Sequence, residues 1–380
     1  MIESNSRSVA PPTVSVVVPC RNEVSHIESC LRSILQQQEP EGGFEVIVAD
    51  GMSDDGTRGI LERMAAQDTR LKVVDNLRRI TPCGMNCAIR QSTGQWIAIM
   101  GSHNRYAPDY LVQCLEAART TGADNVGGAM FSEGNTNLQR AIAAAHHSRF
   151  SVGGARWHNP DFEGLADTVF GGFYKREVLE RIGLFDEELV RNQDDELNLR
   201  LTRAGGKIWQ SPRIQSWYHP RKSLSALFGQ YAQYGYWKVR VIQKHRIPAS
   251  WRHLVPGAFV LTLTALCLCS IVGLTGWLLG GWSGLAGLVS LLALAVCLVC
   301  YFTAAIAASI ATSRTTGWSL LPQLPFVFFC YHWGYGYGFL RGVWDFVVRR
   351  KRPGAQFVEL TRVEPAQQPR APMADRSLNR

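Results

Sequence analysis

From Val14 onward the chain alternates two kinds of apolar pattern. Val14-Ser15-Val16-Val17-Val18-Pro19 is a short run dominated by β-branched residues and reads as a buried strand. The next apolar positions, Ile27, Cys30, Leu31, Ile34 and Leu35, recur at helical spacing within residues 25–38. The pair then repeats, with a strand at Phe44-Glu45-Val46-Ile47-Val48-Ala49 and a helix over about 55–67. Lys72–Asp75 and Trp96–Met100 supply further short strands. Strand and helix in alternation predict parallel strands with right-handed crossovers, an α/β half-domain suited to a nucleotide.

Beyond residue 109 the pattern loosens. Helices are expected near 109–121 and 137–150, a glycine-rich element at Val169-Phe170-Gly171-Gly172-Phe173, and a helix over 194–203 stopped by Gly205-Gly206. The C-terminal third changes character. No Asp, Glu, Lys or Arg occurs between Arg252 and Arg314, enough for two helices of about 20 residues, each the thickness of a bilayer. The expected spans are 255–277 and 285–309, joined by Gly280-Gly281-Trp282-Ser283-Gly284. A third apolar stretch, 320–344, is interrupted by Pro322, Pro325, His332 and several glycines. The cluster Arg349–Arg352 follows it, and a third span would put that cluster outside, against the positive-inside tendency, so it reads as interfacial or re-entrant.

Charge sharpens this division. The chain has 40 Lys and Arg against 31 Asp and Glu, and no acidic residue lies between Glu196 and Asp345. The excess is therefore local to the approaches of the apolar runs, where cations mark the cytoplasmic side and attract anionic lipid. No recognised nucleic-acid motif accompanies it, so no nucleic-acid partner is expected. The ten cysteines are scattered and imply no disulfide framework. The N-terminus lacks the apolar core of a signal peptide, which predicts a cytoplasmic catalytic part. Residues 1–12 and 349–380 read as disordered tails, 13–245 as the catalytic domain and 246–348 as the membrane region.

In parallel sheets ligands bind at the loops leaving the carboxyl ends of the strands. Three such loops carry polar residues: Pro19–Glu23, Asp50–Thr57 and Gly101–Asn104. A carboxylate just past a strand, as at Asp50, suits a base or a ribose, although Asp, Ser and Gly in a run are also ordinary turn and cap residues.

Taken in order, Val16-Val17-Val18-Pro19-Cys20-Arg21-Asn22-Glu23, Ala49-Asp50-Gly51-Met52-Ser53-Asp54-Asp55-Gly56-Thr57, Gly171-Gly172-Phe173 and Asn192-Gln193-Asp194-Asp195-Glu196 resemble the family 2 glycosyltransferases over residues 13–245. Tyr218-His219-Pro220-Arg221-Lys222 and Gln230–Lys238, with the apolar hairpin that follows, resemble the succinoglycan glucosyltransferase subgroup. The resemblance implies a GT-A domain, a nucleotide-diphospho-sugar transferase with a Rossmann-like sheet, followed by an α-helical membrane region. It implies an inverting hexosyltransfer at the inner membrane in polysaccharide biosynthesis, with a nucleotide-sugar donor, UDP-glucose by analogy, and a lipid-linked saccharide acceptor. On the same ground Pro19, Arg21, Glu23, Asp50 and Ser53 line the nucleotide pocket, with Asp50 at the uracil ring. Asp194 is the base that takes the acceptor proton, and Gly172 and Asp195 lie at the sugars. As isolated residues, Asp194, Asp195 and Glu196 would equally be first-turn carboxylates favoured by the helix dipole.

Three departures from the family pattern matter. Gln193 replaces a Glu, which removes one negative charge beside Asp194. Gly101 stands where the family carries the first Asp of its metal motif, which leaves His103, and at longer range His219, as candidate ligands for manganese or magnesium. Imidazole suits manganese better than magnesium. Alternatively, protein cations such as Arg221 and Lys222 neutralise the leaving diphosphate, or serve only as a juxtamembrane cluster. Gln233 and Tyr234 occupy the Arg and Trp positions of the acceptor-binding element, so Gln230, Tyr234 and Trp237 are candidates either for stacking on sugar or for an interfacial aromatic belt. The missing Asp also admits a non-catalytic reading, a sugar-nucleotide-binding scaffold of a polysaccharide assembly complex.

Overall fold

A computed structural model describes residues 11–154, 158–248, 250–280 and 283–358. Most of both expected tails, and Gly281 and Trp282 of the inter-helix turn, lie outside those residues.

The core is an eight-stranded sheet in the order β3-β2-β1-β4-β9-β6-β10-β8. Its first half contains β1 (Val14–Cys20), β2 (Phe44–Asp50), β3 (Leu71–Asp75) and β4 (Trp96–Ile99), all parallel. β1 and β2 are buried on both faces, which is why they read as unbroken apolar runs rather than alternating ones. Helices Ile27–Leu35 and Thr57–Gln67 fall inside the stretches expected for them. A helix at Thr81–Gln91 was not expected; its mixed Pro, Gly, Asn and Cys composition hides a face that seven of its residues bury.

The second half departs from a simple α/β alternation. After β5 (Asn104–Tyr106), β6 (Asn125–Gly128), β7 (Met130–Ser132) and β8 (Gly164–Leu165), the glycine-rich element becomes β9 (Phe170–Lys175). It runs antiparallel between β4 and β6 in the middle of the sheet. β10 (Ile208–Gln210) is parallel to β6, and β11 (Ser216–Tyr218) forms a small sheet with β5 and β7. β1 and β4 are neighbours although β1 also pairs with β2, so strand order reverses there and a crevice opens beyond their carboxyl ends.

The helix Leu224–His245, capped by Ser223 accepting from Ala226 N, links this domain to the apolar third. Helices Val255–Leu278 and Gly284–Thr316 follow, both long and apolar enough to cross a membrane. They approach so closely that a Cβ on Gly273 would lie 2.4 Å from Gly287 Cα, the small-residue packing that lets apolar helices associate. Their outer side chains, Leu261, Leu268, Val272, Val296 and Val299 among them, are exposed, as those of a soluble core helix are not.

The interrupted stretch at 320–344 is helical from Leu324 to Val348, with π-helical turns at Cys330–Gly334 and Val343–Val348. It is docked along Leu224–His245, with Gly338 against the Ala232 carbonyl, where a Cβ would come within 1.9 Å. The chain after it stays attached for several residues, which amends the tail expected from 349. Phe357 is buried, its ring stacked 3.9 Å from that of Tyr236, and its carbonyl accepts from the Trp237 indole N–H at 2.9 Å.

Candidate active site

A cavity of about 300 Å³ occupies the crevice beyond β1 and β4. Pro19, Cys20, Arg21 and Glu23 line it from β1, Asn76, Arg79 and Thr81 from beyond β3, and Met100–Asn104 from β4. Phe170 and Gly171 close it from β9, and Arg191, Gln193, Asp194, Tyr218, Arg221, Gln230 and Tyr234 form the far wall. A second cavity of about 490 Å³ shares Phe170, Asp194, Tyr218, Arg221, Gln230 and Tyr234 with the first. It extends past Asp195, Leu199 and Lys238 to Trp251, Arg252, His253, Val255, Tyr331 and Tyr335, at the start of the apolar helices. Asp194 stands where the two meet.

Local backbone sets that position. Asn192 holds a left-handed conformation (φ 61°), one that asparagine tolerates, and its side-chain amide donates to the Tyr234 carbonyl at 2.9 Å. The helix Gln193–Arg203 therefore starts with Asp194 and Asp195 in its first turn, where its dipole favours carboxylates. The Asp194 carboxylate is open to the cavity and accepts from the Asp195 N–H at 3.0 Å. Desolvation by the surrounding protein, and then the charge of Asp195, raise its pKa to about 6. Burial works the same way on Asp195, but the ammonium of buried Lys238, paired with it, outweighs that and holds it below the usual carboxylate range.

Several expected residues sit elsewhere. Asp50 is buried and outside the cavity lining, because its carboxylate accepts from Ser53 Oγ (2.6 Å) and backs onto Arg58 (3.5 Å). The pair forms the turn that the Asp-Ser-Gly composition also suggested; in turn Ser53 Oγ accepts from the Asn22 N–H, tying the first two loops together. Gly172 does not line the cavity; at φ 81° it passes against the Tyr174 ring, where a Cβ would come within 2.4 Å. Trp237 reaches neither cavity. It is buried against Tyr236, Phe346 and Phe357, so its role is packing rather than sugar contact or an interfacial belt. Asp195 lines only the second cavity, while Gln230 and Tyr234 face both and are joined by a 3.0 Å hydrogen bond.

The candidate metal ligands separate as well. His103 Nδ1 bonds Glu23 Oε1 at 2.8 Å inside the first cavity. His219 lies off that lining, its Nδ1 against the Glu133 carbonyl and its ring beside His26. Among the described residues no three His, Cys, Asp or Glu side chains gather as a cation would need. Glu23 and His103, bonded to each other, are a sparse donor set for a divalent ion, which would have to draw its other ligands from a bound diphosphate and water. Sequence reasoning passed over Arg79 and Arg191. Arg191 immediately precedes the Asn192–Asp194 motif; Arg79 had no signal beyond the Arg78-Arg79 pair, and its φ of 62° shows only in the structure.

Similarity to known proteins places the chain in a family. The family model described as Glycosyl transferase family 2 matches residues 15–183. The succinoglycan biosynthesis protein ExoA of Rhizobium meliloti is 31% identical over 69% of this chain and 79% of its own length. A dolichyl N-acetyl-α-D-glucosaminyl phosphate 3-β-D-2,3-diacetamido-2,3-dideoxy-β-D-glucuronosyltransferase of Methanococcus voltae is 26% identical over 68% of this chain and 82% of its own. Among solved structures, a mannosyltransferase from Pyrobaculum calidifontis in complex with GDP-Man and Mn2+ shares the fold over 88% of both chains, with 21% identity and a TM-score of 0.54. The chain is a glycosyltransferase and belongs to glycosyltransferase family 2, within which it resembles the succinoglycan-biosynthesis subgroup.

Proposed function

We propose that this chain is a membrane-anchored, inverting glycosyltransferase that moves a hexose from a nucleoside diphosphate donor, UDP-glucose first among those to test, to a lipid-linked saccharide. The observation that carries the reading is the position of Asp194 at the junction of a sheet-borne cavity and a second cavity that runs toward the apolar helices. The donor occupies the first, with Pro19, Arg21 and Glu23 at the nucleotide. The acceptor enters the second from the bilayer side, past Trp251, with Asp195, Gln230 and Tyr234 near its sugar.

With a pKa of about 6 the Asp194 carboxylate is ionised at neutral pH yet basic enough to accept a proton. It takes the proton of the acceptor hydroxyl as that oxygen attacks the anomeric carbon from the face opposite the diphosphate. The new C–O bond forms while the anomeric C–O bond breaks, its electron pair leaving with the nucleoside diphosphate. The configuration inverts in that single displacement. Residues 13–245 form the catalytic domain, 246–348 anchor it, and the basic approaches to the apolar helices hold it at the cytoplasmic face of the inner membrane. The same basic segments face anionic lipid.

The test uses the full chain in detergent, with UDP- and GDP-sugars and a polyprenyl-linked saccharide acceptor, the product's anomeric configuration being read by NMR. Asp194→Asn is expected to lower transfer by about 10²–10⁴-fold, the usual worth of a general base, with donor binding intact. Transfer undiminished in that variant, or retention of configuration, overturns the mechanism. Donor binding with no transfer to any acceptor in the natural chain instead favours the scaffold.

A further inference from the structure

The first cavity lacks the family's metal-holding carboxylate, and the space for one is already filled. A Cβ on Gly101 would come within 2.8 Å of Asn104 Nδ2 and 3.3 Å of its Cγ. Asn104 is buried and donates to the Tyr106 hydroxyl at 3.2 Å, and that hydroxyl also receives the Gly101 N–H at 2.6 Å. The loop is thus closed by an amide and a phenol, neither of them anionic, so it offers a divalent ion no carboxylate at this position.

The same cavity is rich in cations. Arg21, Arg79, Arg191 and Arg221 line it from four separate segments, against two carboxylates, Glu23 and Asp194. The excess of two positive charges equals what one divalent ion would bring. Arg21 directs a guanidinium nitrogen to the Arg79 carbonyl at 3.4 Å, and its buried Nε meets no acceptor among the described residues. Arg191 and Arg221 are oriented by amide oxygens, Arg191 Nε to Gln233 Oε1 and Arg221 Nε to Gln230 Oε1, both at 3.1 Å. Burial, and to a smaller degree the charge of Arg221, push the Arg191 pKa down, although Tyr234 and Asp194 act the other way. Guanidinium groups crowded in this way favour a bound anion, and their planar forks match phosphate oxygens.

We propose that Arg21, Arg79, Arg191 and Arg221 form a diphosphate clamp that binds the donor and receives the leaving group's charge with no divalent cation. This rests on the reading of the cavity as a nucleotide-sugar site. The clamp acts where the bond to the anomeric carbon breaks and negative charge grows on the diphosphate, which donors fixed in advance stabilise at no cost of reorganisation.

Binding of UDP, GDP and UMP to the full chain in detergent, measured by calorimetry with EDTA or with manganese, tests it. A nucleoside diphosphate should bind in EDTA within about twofold of its affinity in manganese. Arg191→Gln and Arg221→Gln should each weaken diphosphate binding about 10-fold or more, the worth of a charge-assisted hydrogen bond. UMP, one phosphate shorter, should lose less, a difference that mere misfolding would not produce. Diphosphate binding that vanishes in EDTA and returns with manganese overturns the clamp and leaves the nucleotide-sugar reading standing. Failure of every nucleotide to bind under both conditions overturns that reading itself. Because the EDTA comparison is made on the natural chain, it decides the matter even if a variant fails to fold.

Discussion

The two cavities that meet at Asp194 are built in different ways. The first cavity, the proposed donor side, hangs on loops that spring from β1, β3 and β4, strands fixed by a parallel ladder and mostly buried. The second cavity, the proposed acceptor side, has no sheet beneath most of it. It is enclosed by helices Gln193–Arg203 and Leu224–His245, the turn Trp251–His253 and the docked segment around Tyr331–Tyr335. The sheet-borne wall is set by backbone hydrogen bonds and carries Arg21 and Arg79, whereas the helical wall is set by side-chain packing and carries most of the aromatics together with Arg191, Arg221 and Arg252. Damage to packing should therefore be felt mainly on the acceptor side.

The hardest blow to that side comes from Trp237, which fixes the chain beyond Arg349 through its indole N–H and its contacts with Phe346 and Phe357. Trp237→Ala should destabilise the folded chain by about 3–5 kcal/mol, read from chemical denaturation, with the donor affinity of the protein that remains folded unchanged. Unaltered stability together with a raised acceptor KM would instead return Trp237 to the sugar.

This contrast also explains what the sequence disclosed. The strands of the first hundred residues were legible because burial on both faces leaves continuous apolar runs, and the loops after β1 and β4 were legible as cavity walls because a parallel sheet opens its crevice there. β9 was not, since nothing in Val169–Phe173 says that it inserts antiparallel between β4 and β6. That Asp50 falls outside the cavity lining was equally hidden: its carboxylate is held by Ser53 and Arg58, whose geometry the sequence does not contain. Asp194 was singled out by its motif, and the structure sets it on the lining of both cavities. Its second cavity was invisible, because it draws Asp194 together with Tyr331 and Tyr335, residues far along the chain that only tertiary packing makes neighbours.

A gentler test narrows the acceptor cavity without touching the donor side. Leu199 faces only the second cavity, from the helix that carries Asp194. Leu199→Trp should raise the acceptor KM about 10-fold, equivalent to about 1.4 kcal/mol of lost binding, and leave donor hydrolysis near its natural rate. Equal losses in both would mean that the cavities do not divide the substrates.

The smallest effect concerns the charge balance at the junction itself. If Asp194 is the base, it acts in its ionised form, so kcat/KM should rise with pH through about 6 and then level off. Two causes hold the Asp194 pKa up, desolvation first and the Asp195 charge second. Asp195→Asn removes only the second, and it also frees the Lys238 ammonium, which already favours the ionised form of Asp194. Both changes act in one direction. The acidic limb should move to lower pH, by less than about one unit because desolvation remains. Lys238→Met should move it upward and leave Asp195 without its buried partner, at a cost in stability. A limb that stays in place in both variants would show that some other group governs the pH dependence, and the junction of the two cavities would lose its claim to be where the proton is taken.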